Sequence, residues 1–66
     1  MIVYHDVLGK LYDAGYTTTR IRREKILSES TLTKLRHNVP VHLDALDIIC
    51  NLTGLDISDL VSHVKK

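Results

Sequence analysis

The class this sequence predicts is all-α, a compact bundle of five short helices, and three observations carry that prediction. Four polar residues, Thr17, Ser28, His42 and Asp56, each follow an apolar residue and each precede another by four positions, the pattern of a hydrophobic staple at a helix start. Gly15, Pro40 and Gly54 stand between periodic stretches, where a chain turns. No stretch alternates apolar and polar residues for long, and the β-branched residues are scattered among strong helix formers.

Taken in order, Val3, Val7, Leu8 and Leu11 recur at helical spacing with Lys10 and Asp13 off the stripe, which predicts helix one over 3–14, closed at Gly15. Thr17, stapled by Tyr16 and Ile21, opens helix two over 18–25. Ser28, stapled by Leu27 and Leu32, opens helix three over 29–37. His42, the weakest of the four caps, sits between Val41 and Leu46 and opens helix four over 43–53, which Gly54 ends. Asp56, between Leu55 and Leu60, opens helix five over 57–64. The expected core is Leu8, Leu11, Ile21, Leu32, Leu35, Leu46, Ile49, Cys50, Leu52, Leu60 and Val61, with Tyr4 and Tyr12 packed at its edge from helix one.

Composition narrows the function classes. Sixty-six residues with 44% apolar content, one cysteine and no tryptophan or phenylalanine describe a single small domain, 1–66, too short for a two-domain enzyme. The longest apolar runs, Met1 to Tyr4 and Ile48 to Cys50, fall far below the roughly 18 to 20 residues of a membrane span, and no signal peptide is apparent. The expected location is therefore the cytoplasm, with no membrane partner. Cys50 cannot form an internal disulfide and reads as a small buried apolar side chain. His5, His37, His42 and His63 contain no i, i+4 pair and have no neighbouring cysteine, so no metal is expected. No nucleophile elbow or phosphate-cradling glycine loop is present, which argues against an enzyme, a cofactor and a small-molecule substrate.

The net charge of +1 hides an asymmetry. Residues 1–16 carry −1 and residues 43–66 carry −2. Residues 17–42 carry +4 from Arg20, Arg22, Arg23, Lys25, Lys34 and Arg36 against Glu24 and Glu29. A clustered cationic field of this kind suits phosphate, because each neutralised phosphate releases condensed counterions. The cationic stretch coincides with helices two and three, whose caps lie eleven residues apart and which only Ile26 to Ser28 separate, the spacing of a helix-turn-helix.

With Leu32 and Leu35 turned inward, helix three presents Glu29, Ser30, Thr33, Lys34 and His37 outward. Lys34 can donate to guanine O6 or N7, Glu29 can accept from cytosine N4, and Ser30 or Thr33 can bond either way or lay a methyl against thymine. The starts of helices two and three bring hydroxyls and amides suited to phosphate oxygens.

The stretch Thr17 to Arg36, Thr-Thr-Thr-Arg-Ile-Arg-Arg-Glu-Lys-Ile-Leu-Ser-Glu-Ser-Thr-Leu-Thr-Lys-Leu-Arg, resembles the Cro and phage-repressor (XRE-type) class of helix-turn-helix DNA-binding domains. The likeness runs on through Asn38-Val39-Pro40-Val41, the helix ending at Gly54 and the short helix opened by Asp56. The resemblance implies a lambda-repressor-like fold and operator binding by a small, nucleoid-associated transcriptional regulator such as a repressor, with double-stranded DNA as partner and a homodimer as the usual state. It places base reading on Glu29, Ser30, Thr31 and Lys34, with Thr33 beside them, and phosphate contacts on Thr17, Thr18, Arg36, Asn38 and His42. Arg22 stands where the family often has a small residue and must turn outward. Ile26 stands at the usual turn glycine, so the turn is expected to be rebuilt, with helix two extended or the chain taking a different loop. Ile2, Val3, Val39, Ile48, Val61 and Val64 are surplus apolar residues available to a dimer surface, the alternative being simple scatter over the surface. An alternative is a protein-interaction module, antitoxin-like or antirepressor-like, that keeps the fold without specific DNA binding.

Overall fold

The computed structural model describes residues 1–65. The element order is β1 (Ile2–Tyr4), α1 (Val7–Asp13), α2 (Thr18–Arg23), α3 (Glu29–Arg36), α4 (Leu43–Thr53), α5 (Ile57–Leu60) and β2 (Val61–His63). Five helices surround one core, as the sequence predicts, and each contributes one of its most completely buried side chains: Leu11, Ile21, Leu32, Ile49 and Leu60. Three of these, Ile21, Leu32 and Leu60, are the inner members of the staples, so the residues that fix where a helix starts also anchor it in the core. The outer members of the four staples are packed in turn, Leu27 buried and Tyr16, Val41 and Leu55 half-buried.

The ends of the chain depart from the all-helical expectation. Helix one begins at Val7 rather than Val3, and helix five stops at Leu60 rather than continuing to 64. The residues so released form a two-stranded antiparallel sheet in the register Ile2↔His63, Val3↔Ser62 and Tyr4↔Val61. Locally, Ile2, Val3 and Tyr4 are β-branched or aromatic and suit an extended, half-buried ribbon. Asp6 then adopts a left-handed backbone (φ 47°) and caps α1 by accepting from the Gly9 N–H at 3.2 Å, which sets the helix start four residues late. Lys10 ties the two ends together, its ammonium donating to the carbonyls of His5 (2.5 Å) and Asp59 (2.6 Å). Tyr4 therefore lies on a strand rather than on helix one, and Tyr12 is exposed.

The core differs from the expected set at its margins. Val7, Leu27 and Ala45 join it as buried residues, while Leu8, Cys50, Leu52 and Val61 are only half-buried against it. Burial, followed by the carboxylates of Asp47, Asp56 and Asp59, pushes the Cys50 thiol above its ordinary pKa.

The turn between α2 and α3 is rebuilt, though not by lengthening α2, which ends at Arg23 instead of 25. The left-handed residue is Lys25 (φ 54°), one position before Ile26. The Ile26 N–H donates to the Ile21 carbonyl at 3.0 Å and the Lys25 N–H to that of Arg22 at 3.2 Å, the paired bonds of a Schellman closure. The same closure ends α1, where Gly15 (φ 93°) holds the left-handed position and Tyr16 and Gly15 donate to Leu11 and Tyr12. A non-glycine residue pays roughly 1 to 2 kcal/mol for that conformation, partly offset by the extra disorder glycine has in the unfolded chain. Lys25→Gly is thus expected to stabilise the fold by about 0.5 to 1 kcal/mol, read as a rise in melting temperature of a few degrees; a fall would show that Lys25 makes a compensating contact.

Candidate nucleic-acid interface

α3 is fixed at both ends. Ser28 caps it, accepting from the Thr31 N–H at 3.1 Å, and Glu29 places an acid in its first turn, where the helix dipole favours negative charge. Beyond Arg36 and His37 the chain turns at Asn38 in the left-handed conformation (φ 57°), and the Val39 N–H reaches back to the Lys34 carbonyl at 2.8 Å. Leu32 and Leu35 hold the inner face, so the outer face is set by helical spacing alone.

Of the residues expected to read bases, Ser30 and Thr33 are exposed on the face turned away from the core, and Lys34 is half-buried beside them. Glu29 is exposed but engaged by Arg22 in an ion pair. Thr31 lies nearest the core edge, half-buried, with its hydroxyl 2.9 Å from that of Ser28. The structure therefore brings four of these side chains onto the open face of α3 and sets Thr31 at its margin.

Of the residues expected at phosphates, Thr17 caps α2 by accepting from the Arg20 N–H at 3.1 Å, and Thr18 follows it half-buried. Arg36 and His42 are exposed, and His42 caps α4 without a side-chain hydrogen bond. Asn38 is exposed, and its side-chain carbonyl accepts the Tyr4 N–H at 3.1 Å. Thr17 and Thr18 open α2, whereas Arg36, Asn38 and His42 follow one another along the exit from α3.

Among the cations of α2, Arg20 is already committed. It pairs with Glu24 at 2.6 Å, lies 4.6 Å over the Tyr16 ring and donates to the Gly15 carbonyl at 3.1 Å. The hydrogen bond and charge of Glu24 hold its pKa even above the usual arginine value. Arg22 and Lys25 instead border an open cleft at the turn together with Leu27, Ser28 and Glu29. Arg22 turns outward as its size requires, and in doing so bridges α2 to the first turn of α3.

Two contributors escaped the sequence reading. The Arg22 to Glu29 pair joins opposite charges seven positions apart across a turn, and nothing in a helical repeat points to it. Tyr4, assigned by spacing to helix one, contacts the loop after α3 through its backbone and its hydroxyl, across a separation that only the folded chain closes. Among the described residues, no three His, Cys, Asp or Glu side chains gather as metal ligands, and no helix is long and apolar enough to cross a membrane.

No curated protein and no solved structure matches the chain significantly. The model of one family, described as the Cro/C1-type HTH DNA-binding domain, matches residues 10–66, which takes in the end of α1 together with α2 to α5 and β2 and leaves β1 and the start of α1 outside. With the helix-turn-helix of α2 and α3 in place and most of the chain covered by that match, the protein belongs to the Cro/C1-type helix-turn-helix DNA-binding domain family.

Proposed function

We propose that this chain is a sequence-specific regulator that lays α3 in the major groove of an operator, as a homodimer on a two-fold site. The single observation that carries this reading is the open face of α3, where Ser30, Thr33 and Lys34 stand opposite the buried Leu32 and Leu35 between capped helix ends. Donors and hydroxyls on such a face match the base-edge pattern of a major groove, which distinguishes all four base pairs. Lys34 donates to a guanine, Glu29 accepts from a cytosine amino group, and Ser30, Thr31 and Thr33 complete the readout. Thr17, Thr18, Arg36, Asn38 and His42 hold the backbone on either side and set the register.

Self-association is supported by the apolar side chains left exposed, among them Leu43 (75%), Ile57 and Val64 (both 47%) and Ile2 (44%). A second copy covering part of this surface would bring two recognition helices to successive half-sites, roughly one helical turn apart. The domain then controls a promoter by blocking it or by recruiting to it, as its abundance dictates.

Selection from a random duplex library at low and moderate salt tests the reading. Retention of an inverted repeat is the expected result. Retention without a motif that vanishes with salt would reduce the function to phosphate binding, and no retention would overturn it.

A further inference from the structure

We infer that Tyr4 is a positioning residue for DNA binding, holding the loop that presents Asn38 and His42 to the phosphate backbone. The inference rests on the phosphate contacts proposed above and adds to them a residue that lies outside the family match, which begins at residue 10. Three hydrogen bonds carry it. The Tyr4 hydroxyl donates to the Val39 carbonyl at 2.8 Å and accepts from the Val41 N–H at 3.0 Å, so one oxygen bonds the chain on both sides of Pro40. Pro40 itself has no N–H to offer. The Tyr4 N–H donates to the Asn38 side-chain carbonyl at 3.1 Å and leaves the amide N–H groups of Asn38 as donors for another acceptor.

These bonds act on an exposed stretch of the chain. Asn38, Val39 and Pro40 are exposed, and Asn38 is held left-handed. The ring of Tyr4 packs half-buried against the core, and Tyr4, Leu35, Arg36 and Asn38 border the same cleft between β1 and the end of α3. β1 is in turn registered by β2 and by the Lys10 bridge, so an element outside the helix-turn-helix holds the exit loop. A group aimed at a phosphate has to sit within hydrogen-bonding distance before it contributes, and a loop free to wander gives up that contact in entropy.

The test compares wild type, Tyr4→Phe, Asn38→Ala and the double variant on one selected duplex and one scrambled duplex. Tyr4→Phe, which removes both hydroxyl bonds, is expected to bind both duplexes about three- to tenfold more weakly by the same factor, the effect of roughly one weakened phosphate contact, because it disturbs phosphate contacts and no base contact. The double variant should lose about as much as Asn38→Ala alone, since both act through one loop. Amide exchange should show the Val41 N–H less protected in Tyr4→Phe while the Leu35 N–H in α3 is unchanged. If Tyr4→Phe is unfolded, the same comparison runs in the stabilised Lys25→Gly background. Unchanged affinity in Tyr4→Phe, or losses that simply add, would overturn the positioning role while leaving the DNA reading intact. Failure of the wild type to bind either duplex would overturn both.

Discussion

Leu32→Ala is expected to leave the domain largely unfolded and unable to bind DNA. Leu32 is fully buried, is the inner member of the staple that starts α3, and sits on the face opposite Ser30 and Lys34. Truncating a buried leucine costs about 2 to 5 kcal/mol from lost transfer and the cavity left behind. At roughly 0.05 to 0.15 kcal/mol per residue, a chain of 66 residues holds about 3 to 10 kcal/mol in all, so the lower part of that range is consumed outright. The melting temperature should fall by roughly 10 to 30 °C. Thr33→Ala, one residue on and exposed, should shift stability by no more than about 0.5 kcal/mol. Equal melting of the two variants would mean that Leu32 is not in the core.

Lys34→Ala should act on specificity and leave the fold in place. Removing a lysine that donates to a guanine edge is expected to cost roughly 1 to 3 kcal/mol on the selected operator and to relax preference at one base-pair position. Arg36→Ala is the control: placed at the exit of α3 and exposed, it should weaken all duplexes alike and lower the salt slope by about one unit. Uniform loss across sequences in both variants would remove Lys34 from base reading and leave it as one more phosphate contact.

The contrast between these variants follows from how α3 is built, and much of that was legible in the sequence. A staple and its cap lie within six consecutive residues, so Tyr16 to Ile21, Leu27 to Leu32, Val41 to Leu46 and Leu55 to Leu60 declare four helix starts without help from the rest of the chain. The face of α3 follows once Leu32 and Leu35 are assigned inward. The terminal sheet was not legible, because Val3 fits a helical stripe with Val7 and Leu11 as well as it fits a strand. Only the distant pairing with Ser62 decides between them. The turn was legible as an anomaly at Ile26 but not in its solution, since moving the left-handed residue to Lys25 depends on where α2 stops. The engagement of Glu29 by Arg22 and of Asn38 by Tyr4 belongs to the same class of facts, made by tertiary approach and silent in any local pattern.

The most direct measurement of the central claim, that α3 reads bases from the major groove, is methylation interference on the selected duplex. Methyl groups at guanine N7 project into the major groove and those at adenine N3 into the minor groove. The account predicts that N7 methylation of one or more guanines in each half-site abolishes binding, while N3 methylation within the same half-sites leaves it intact. Interference confined to adenine N3, or none at either position, would contradict it.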